Sequence, residues 1–474
     1  MDTSSPAAQG VRSTGIVAFL DAIEGDPRIE PHGLIIQRHG HRIVEGYWAP
    51  HTAERIRLVY SLSKSFTGAA LGLQLAEGRL SLDDLVSDHL PGLFDDDTPD
   101  AIRRLRIRHL ASMSSGHAAE TLLEAVVADP DDPVRGFLTL APDAEPGTLF
   151  AYNQPPVLTL ARILQDLAGE RLVDYLRPRV LDPIGAGDLR WRQLPAGFDM
   201  GFSGVFTDLD TVARLGQLHL DDGTWNGRRV LPDGWVAEAS SVQTPNGSWE
   251  QIDWQQGYGF QFWMSRHGYR GDGAFGQFMV ILPEYDTVVA MFSCTDEMQT
   301  VLDAMWEHLL PALGDESLPP SIDDEALAER LATSSLPTVA ERLGGRSPGA
   351  LPATTFEPHP TEASHFTVTS IETTSIETTS AEPGGSRMVI HEADASIEVP
   401  LTEAWSIVDD TLAASATRLD DGTIAVDVSF LATPHRLEIE LDPAAGTFIA
   451  RWPLMPLFGV GPDHRLAALR WPAD

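Results

Sequence analysis

Two residue types are nearly missing from this chain. Cysteine occurs once, as Cys294, so no intrachain disulfide can form and no thiolate-based zinc or iron–sulfur site can be assembled. Its apolar setting, VVAMFSC, assigns it to packing. Lysine also occurs once, as Lys64, and every other member of the 33 basic residues is arginine. Positive charge is scarce overall: 69 acidic residues give a formal net charge of -36. That balance excludes nucleic acid and anionic membrane as natural partners, because phosphate binding needs basic patches, and it reads as a solvated acidic surface. Long apolar runs are absent as well. Nowhere do about eighteen apolar residues follow one another, and the N-terminus lacks a basic start leading into an apolar stretch. The expectation is a cytoplasmic protein that neither crosses nor binds a membrane.

What is present is ample core material, 43% hydrophobic over 474 residues, more than one core usually organises. Residues 14–24 carry helical spacing. GLIIQRHGHRIVEGYW alternates around His39-Gly40 like a hairpin. From Lys64 to Glu77 the apolar positions Phe66, Ala69, Ala70, Leu73 and Ala76 predict a buried helix that stops at Gly78. Helical stretches near 103–112, 156–168 and 208–220 precede strand-like text from 257 to 294 and an amphipathic segment at 300–313. Helices interleaved with sheet strands place the first domain, 1–315, in the α+β class. Residues 316–355 read as a linker with one short helix. Beyond them TSIETTSIETTS, TIAVDVSFLA, RLEIELD and TFIARW predict a small all-β, barrel-like domain over 356–474. That domain holds no His/Cys cluster or phosphate loop, so it reads as a packing or lid module.

The chemistry centres on LVYSLSKSFTGAA. Ser61 precedes Lys64 by three residues where a strand-like run gives way to a helix, so the two share a face of the first turn. The helix N-terminus favours negative charge developing on an attacked carbonyl oxygen and helps lower the lysine pKa. A serine hydroxyl needs a base to take its proton, and a desolvated lysine can be that base. Ser-x-x-Lys alone is weak, since about one lysine in fifteen has such a serine by composition. The lone lysine makes it strong. Arginine satisfies nearly any surface role but cannot be deprotonated in a protein, and the one position that is not arginine is the one where a proton must leave.

RHGHRIVEGYWAP, RLVYSLSKSFTGAALGLQLAEGRLSLDDLV, HLASMSSGH, PGTLFAYNQ, FSGVFTDLDTVARLGQL and YRGDGAFGQFMVILPEYDTVV, in this order over roughly 14–310, resemble the serine β-lactamases and penicillin-binding-protein-like hydrolases, including their esterase and D-peptidase relatives. The resemblance implies a β-lactamase/transpeptidase-like fold and an acyl-enzyme mechanism without metal or cofactor. It implies that Tyr152 shuttles protons with Lys64 and that Asn153 or Gln154 holds a substrate amide. It places the third motif, usually Lys or His, a small residue and Gly, at Gly271-Asp272-Gly273, with the backbone N–H groups of Ser61 and Ala274 as the oxyanion hole and Gly273 permitting their approach. The motif here has an aspartate and lacks the usual cation, which turns the expectation away from β-lactams and free C-terminal D-Ala peptides; Asp272 is expected to bind a cationic or hydroxylated substrate or to cap a loop. His117, Trp263 and His267 are pocket-lining candidates outside the catalytic set. GFSGV and SMSSGH fail the Gly-x-Ser-x-Gly elbow, and HEADA lacks the second histidine of a zinc helix. The expected function is hydrolysis of a small-molecule ester or amide. The alternatives are a D-peptidase acting on cell-wall fragments and an idle binding module.

Overall fold

The computed structural model describes residues 1–247, 249–365, 367–376, 385–457 and 466–470. The chain falls into two compact units, one of residues 1–46 and 58–332, the other of 47–57 and 333–474.

In the first unit the early alternation forms β1 (Glu30–Arg38) and β2 (His41–Tyr47). His39 and Gly40 between them both have positive φ, 49° and 70°, the conformation of a two-residue turn whose twist matches paired strands. The later strand text forms β3 (Trp263–Met264), β4 (Tyr269–Gly273), β5 (Gln277–Leu282) and β6 (Thr287–Cys294). The six strands make one sheet in the order β2-β1-β6-β5-β4-β3. The pairs β1–β6, β6–β5, β5–β4 and β4–β3 are all antiparallel. β5 is buried along its length and β6 nearly so, so both faces of the centre are covered and the strands read as continuous apolar runs. The N-terminal period forms α1 (Ser13–Glu24), and the Lys64 helix forms α2 (Ser63–Ala76). α3 (Gln154–Ala168) and α4 (Leu209–Leu220) follow. α2 is central: Phe66, Ala69, Ala70 and Leu71 are buried, as are the polar Ser63, Ser65, Thr67 and Gln74. A helix enclosed on all sides needs partners for its polar groups, and Gln74 donates to the Leu164 carbonyl at 2.8 Å.

The stretch expected as a linker with one short helix carries two, α5 (Ile322–Ala332) and α6 (Val339–Leu343). Thr338 and Glu341 cap α6 reciprocally, a Thr-x-x-Glu box written in the sequence.

Among the described residues the second unit contains nine strands: β7 (Thr354–Pro358), β8 (Ser370–Ile376), β9 (Gly385–His391), β10 (Ser396–Pro400), β11 (Ser406–Val408), β12 (Leu412–Arg418), β13 (Ile424–Phe430), β14 (Arg436–Asp442) and β15 (Thr447–Arg451). Their order is β10-β9-β8-β7-β15-β14-β13-β12-β11. The sheet curls on itself, since the Ala416 N–H in β12 donates to the Thr402 carbonyl just past β10, at 2.7 Å. This is the barrel-like all-β domain expected from the text. The second half of the TSIETTSIETTS repeat, from 377, lies outside the described residues. Burial alternates along β9 and β14, but β13 is buried at every position. α6 covers its second face: the Val339 N–H donates to Ser415 in β12, and Arg342 binds Asp427 in β13. Among the described residues no helix is long and apolar enough to cross a membrane.

Candidate active site

Ser61 sits in a single 3-10 turn, Tyr60–Leu62, immediately before α2. Tyr60 has φ +48°, a left-handed conformation that a bulky residue adopts at a cost of about 1–3 kcal/mol and that clusters at functional sites. Its ring packs edge-on against Phe275, centroids 5.3 Å apart, and Phe275 is itself left-handed at φ +66°. The start of α2 is tied to the segment 201–205 by three side chains. Ser63 Oγ donates to the Tyr60 carbonyl at 2.6 Å and accepts from the Val205 N–H at 3.0 Å. Thr67 Oγ1 donates to the Gly201 carbonyl at 2.8 Å. Lys64 reaches Phe202 between them.

Lys64 is 1% exposed. Its Nζ donates to Ser61 Oγ at 3.1 Å, to Gln154 Oε1 at 2.7 Å and to the Phe202 carbonyl at 2.8 Å, and it lies 4.7 Å from the centre of the Tyr152 ring. All three acceptors are uncharged. Burial without a contacting counter-ion lowers the ammonium pKa to about 7, against the opposing through-space pull of Glu120 and Asp272. Burial disfavours the charged form of an amine, so near neutrality Lys64 is poised between its two states.

Tyr152 lies at the turn into α3. Burial, and next the carboxylate of Asp272, push its phenol upward, and the nearby Ser61 hydroxyl and Trp263 indole only partly oppose the shift. The side chain is therefore a neutral phenol. Its ring stacks on Trp263, centroids 5.0 Å apart at 27°. Of the two candidates that follow, Gln154 faces Lys64. Asn153 is fully buried and turned elsewhere, its Oδ1 accepting from the N–H and hydroxyl of Thr121 at 2.9 and 3.1 Å. Glu120 fixes this turn from outside by accepting from the Gln154 N–H at 3.1 Å.

β4 supplies the opposite wall. A Cβ on Gly271 would meet Ser65 Oγ at 2.3 Å, and one on Gly273 would meet the Val59 carbonyl at 2.0 Å. Only glycine lets this strand approach the chain two residues before Ser61 so closely, and with Gly273 against Val59 and Phe275 against Tyr60 the intervening Ala274 is held beside the Ser61 turn. Gln277 holds that turn, its Nε2 donating to the Phe275 carbonyl at 3.0 Å and the Ser293 carbonyl at 2.7 Å. Residues 270 and 272 point to the other face of β4. There Arg270 Nε donates to Asp272 Oδ2 at 2.9 Å, with Arg270 fully buried and Asp272 7% exposed. Burial raises the Asp272 carboxyl, and Arg270 and Lys64 oppose that rise. The ring of Trp263 stands between this pair and Tyr152, 5.9 Å from the Arg270 guanidinium carbon and stacked on Tyr152.

The structure thus brings Ser61, Lys64, Tyr152, Gln154, Asp272, Gly273 and Ala274 to one place and leaves Asn153 outside it. His117 is a satisfied packing residue, between Ser115 Oγ at 3.0 Å and the Leu140 carbonyl at 3.3 Å. His267 packs beside Trp306. Phe202 and Arg270 were not anticipated: a backbone carbonyl has no sequence signature, and an arginine two residues from an aspartate is common text. Among the described residues no group of histidine, cysteine and carboxylate side chains could hold a metal ion.

Comparison with known proteins gives a consistent picture. The family model described as Beta-lactamase matches residues 21–312. Penicillin-binding protein 4 of Amycolatopsis lactamdurans is 27% identical over 331 residues, which cover 60% of this chain and 84% of that protein. The 6-aminohexanoate-dimer hydrolase of Paenarthrobacter ureafaciens is 25% identical over 329 residues, 63% of this chain and 82% of the relative. Among solved structures, a penicillin-binding protein homologue from Caulobacter crescentus superposes with a TM-score of 0.51 at 14% identity, over 63% of this chain and 98% of its own.

Proposed function

This chain belongs to the beta-lactamase family, and from that premise we propose that it is a serine hydrolase that cleaves an ester or amide of a small molecule through an acyl-enzyme on Ser61. The observation that carries the reading is the set of partners around Lys64. Gln154 Oε1 and the Phe202 carbonyl accept hydrogen bonds and cannot donate them to the amine. A neutral lysine has two N–H bonds, and these two acceptors take both, so its lone pair is directed at Ser61 Oγ, 3.1 Å away. The amine is then oriented as a general base for that hydroxyl and for no other.

The steps follow. Ser61 Oγ attacks the substrate carbonyl as its proton passes to Lys64 Nζ, whose three N–H bonds then all have acceptors. The N–H groups of Ser61 and Ala274 hold the oxygen that becomes negative. Tyr152, a phenol beside Ser61 and Lys64, gives its proton to the leaving oxygen or nitrogen as the carbonyl bond to it breaks and takes one back from the Lys64 ammonium. Water enters by the same route in reverse and frees the acyl group. Gln154, whose Oε1 is committed to Lys64, keeps its Nε2 for a substrate oxygen. No metal or cofactor enters any step.

The relatives named above bear on substrate class. One is named for hydrolysis of a 6-aminohexanoate dimer, an amide, which supports amides beside esters. The intact Ser61, Lys64 and Tyr152 contacts disfavour an idle binding module. The test is incubation with a fluorophosphonate probe and with p-nitrophenyl esters, beside Ser61→Ala and Lys64→Arg. One adduct on Ser61, with turnover lost in both variants, is the expected result; a parent protein that neither labels nor turns over overturns the reading.

A further inference from the structure

We propose that Asp272 makes this site select by charge: substrates bearing a carboxylate near the scissile bond are rejected, and neutral or cationic ones are accepted. The inference rests on the hydrolase reading and narrows its substrate class.

The argument begins with place. Asp272 lies between Gly271 and Gly273, the two residues that let β4 pack against the Ser61 turn and the start of α2. Arg270, which is bonded to its carboxylate, has its guanidinium carbon 5.9 Å from the centre of the Trp263 ring; that ring stacks on Tyr152 with centroids 5.0 Å apart, and the Tyr152 ring centre lies 4.7 Å from Lys64 Nζ. A negative charge therefore stands within two packed rings of the nucleophile's base. It is 7% exposed, and a charge with so little water around it is poorly screened.

Next come the cations that could offset it for an incoming anion. Arg270 is 0% exposed. Its Nε is spent on Asp272, and its Nη1 donates to the Asp253 carbonyl at 2.9 Å, the Met264 carbonyl at 3.2 Å and Ser265 Oγ at 2.5 Å. Its guanidinium carbon lies 4.2 Å from the centre of the Trp254 ring, and its Nη2 is enclosed with no acceptor. This arginine anchors Asp272 from behind and presents no donor to the pocket. Lys64 has its three donors on Ser61, Gln154 and the Phe202 carbonyl. A substrate carboxylate would thus meet Asp272, with Glu120 of the same sign at the Gln154 turn, and find no free cation. Placing like charges together without a partner is a direct means of rejection.

The experiment uses three p-nitrophenyl esters of matched length on the full chain: pentanoate, the glutarate monoester, and 4-(trimethylammonio)butyrate. In the parent, kcat/KM for the glutarate ester falls below that for pentanoate by about tenfold or more, and the ammonium ester is not disfavoured. Asp272→Asn narrows the glutarate-to-pentanoate ratio, and Asp272→Glu keeps it, an outcome that general damage to packing would not produce. Should Asp272→Asn fail to fold because Arg270 loses its partner, the pair Arg270→Met with Asp272→Asn removes both charges together and is read in the same ratio. A parent that takes the glutarate ester as readily as pentanoate, or a neutral variant whose ratio is unchanged, overturns the charge selection while leaving the hydrolase reading intact. Silence on all three esters together with no fluorophosphonate adduct on Ser61 is the distinct result that removes both.

Discussion

Each unit of this protein buries an ionisable group almost completely, and the two are treated in opposite ways. In the C-terminal unit Asp427 is 1% exposed. Both its oxygens accept from Arg342, at 2.9 and 2.7 Å, and Arg436 adds a third bond at 2.9 Å. In the N-terminal unit Lys64 is equally buried, yet its three contacts are a hydroxyl, an amide and a backbone carbonyl. A buried charge ringed by opposite charge serves architecture. A buried amine given only neutral acceptors is held near the point where it changes state, and that serves chemistry.

The comparison is broken most severely at its catalytic end. Ser61→Ala, and Lys64→Arg with its permanent charge, each lower ester turnover by about a thousandfold or more, read by steady-state kinetics on p-nitrophenyl esters. At the structural end, Asp427→Ala leaves two arginines without their common partner. It destabilises the C-terminal unit by about 3–5 kcal/mol in a denaturant melt, and the apparent pKa of kcat/KM stays where it was. Tyr152→Phe removes the proton relay and keeps the ring stacked on Trp263, so kcat falls by about a hundredfold with thermal stability close to the parent's.

The smallest effect sharpens the contrast through pH. The folded-state pKa of Lys64, about 7, lies below its ordinary value of 10.5. Between those limits the unfolded chain holds a proton that the folded chain has lost, so stability relative to Lys64→Met rises with pH across this window, by about 1.4 kcal/mol per pH unit at most. It is flat below the window and above it. Paired denaturant melts of the two proteins at several pH values read this slope, and a difference that falls with pH would contradict the assignment.

Much of this was legible in the text, for particular reasons. The Ser61–Lys64 pair stood out because a composition that uses arginine everywhere else makes one lysine conspicuous. The bounds of α2 and the His39-Gly40 hairpin followed from period and turn chemistry, both local. Partners brought in from far along the chain were not legible. The Phe202 carbonyl is backbone. Trp263 was singled out as a pocket-lining candidate, but nothing in the text showed that its ring would stack on Tyr152. The choice between Asn153 and Gln154 depends on where the chain enters α3, and a shift of one residue there reverses which side chain faces Lys64. Residues 47–57 group with the C-terminal unit, a discontinuous arrangement that a reading along the chain has no means to register. Of the two helices between 322 and 343 only one was expected, because Pro, Ser and acidic text obscures the stretch, although the Thr338–Glu341 box that starts the second is a local signal.

The central claim is that Lys64 is a neutral base at working pH, and the composition allows it to be measured without ambiguity. Because Lys64 is the only lysine in the chain, lysine labelled with carbon-13 at Cε gives a single side-chain resonance, whose shift can be followed from pH 5 to 11 in the folded protein. A midpoint near 7 is the result this account predicts. A lysine that keeps its proton to its ordinary value of 10.5 would contradict it, because the amine facing Ser61 would then have no lone pair to receive the serine proton.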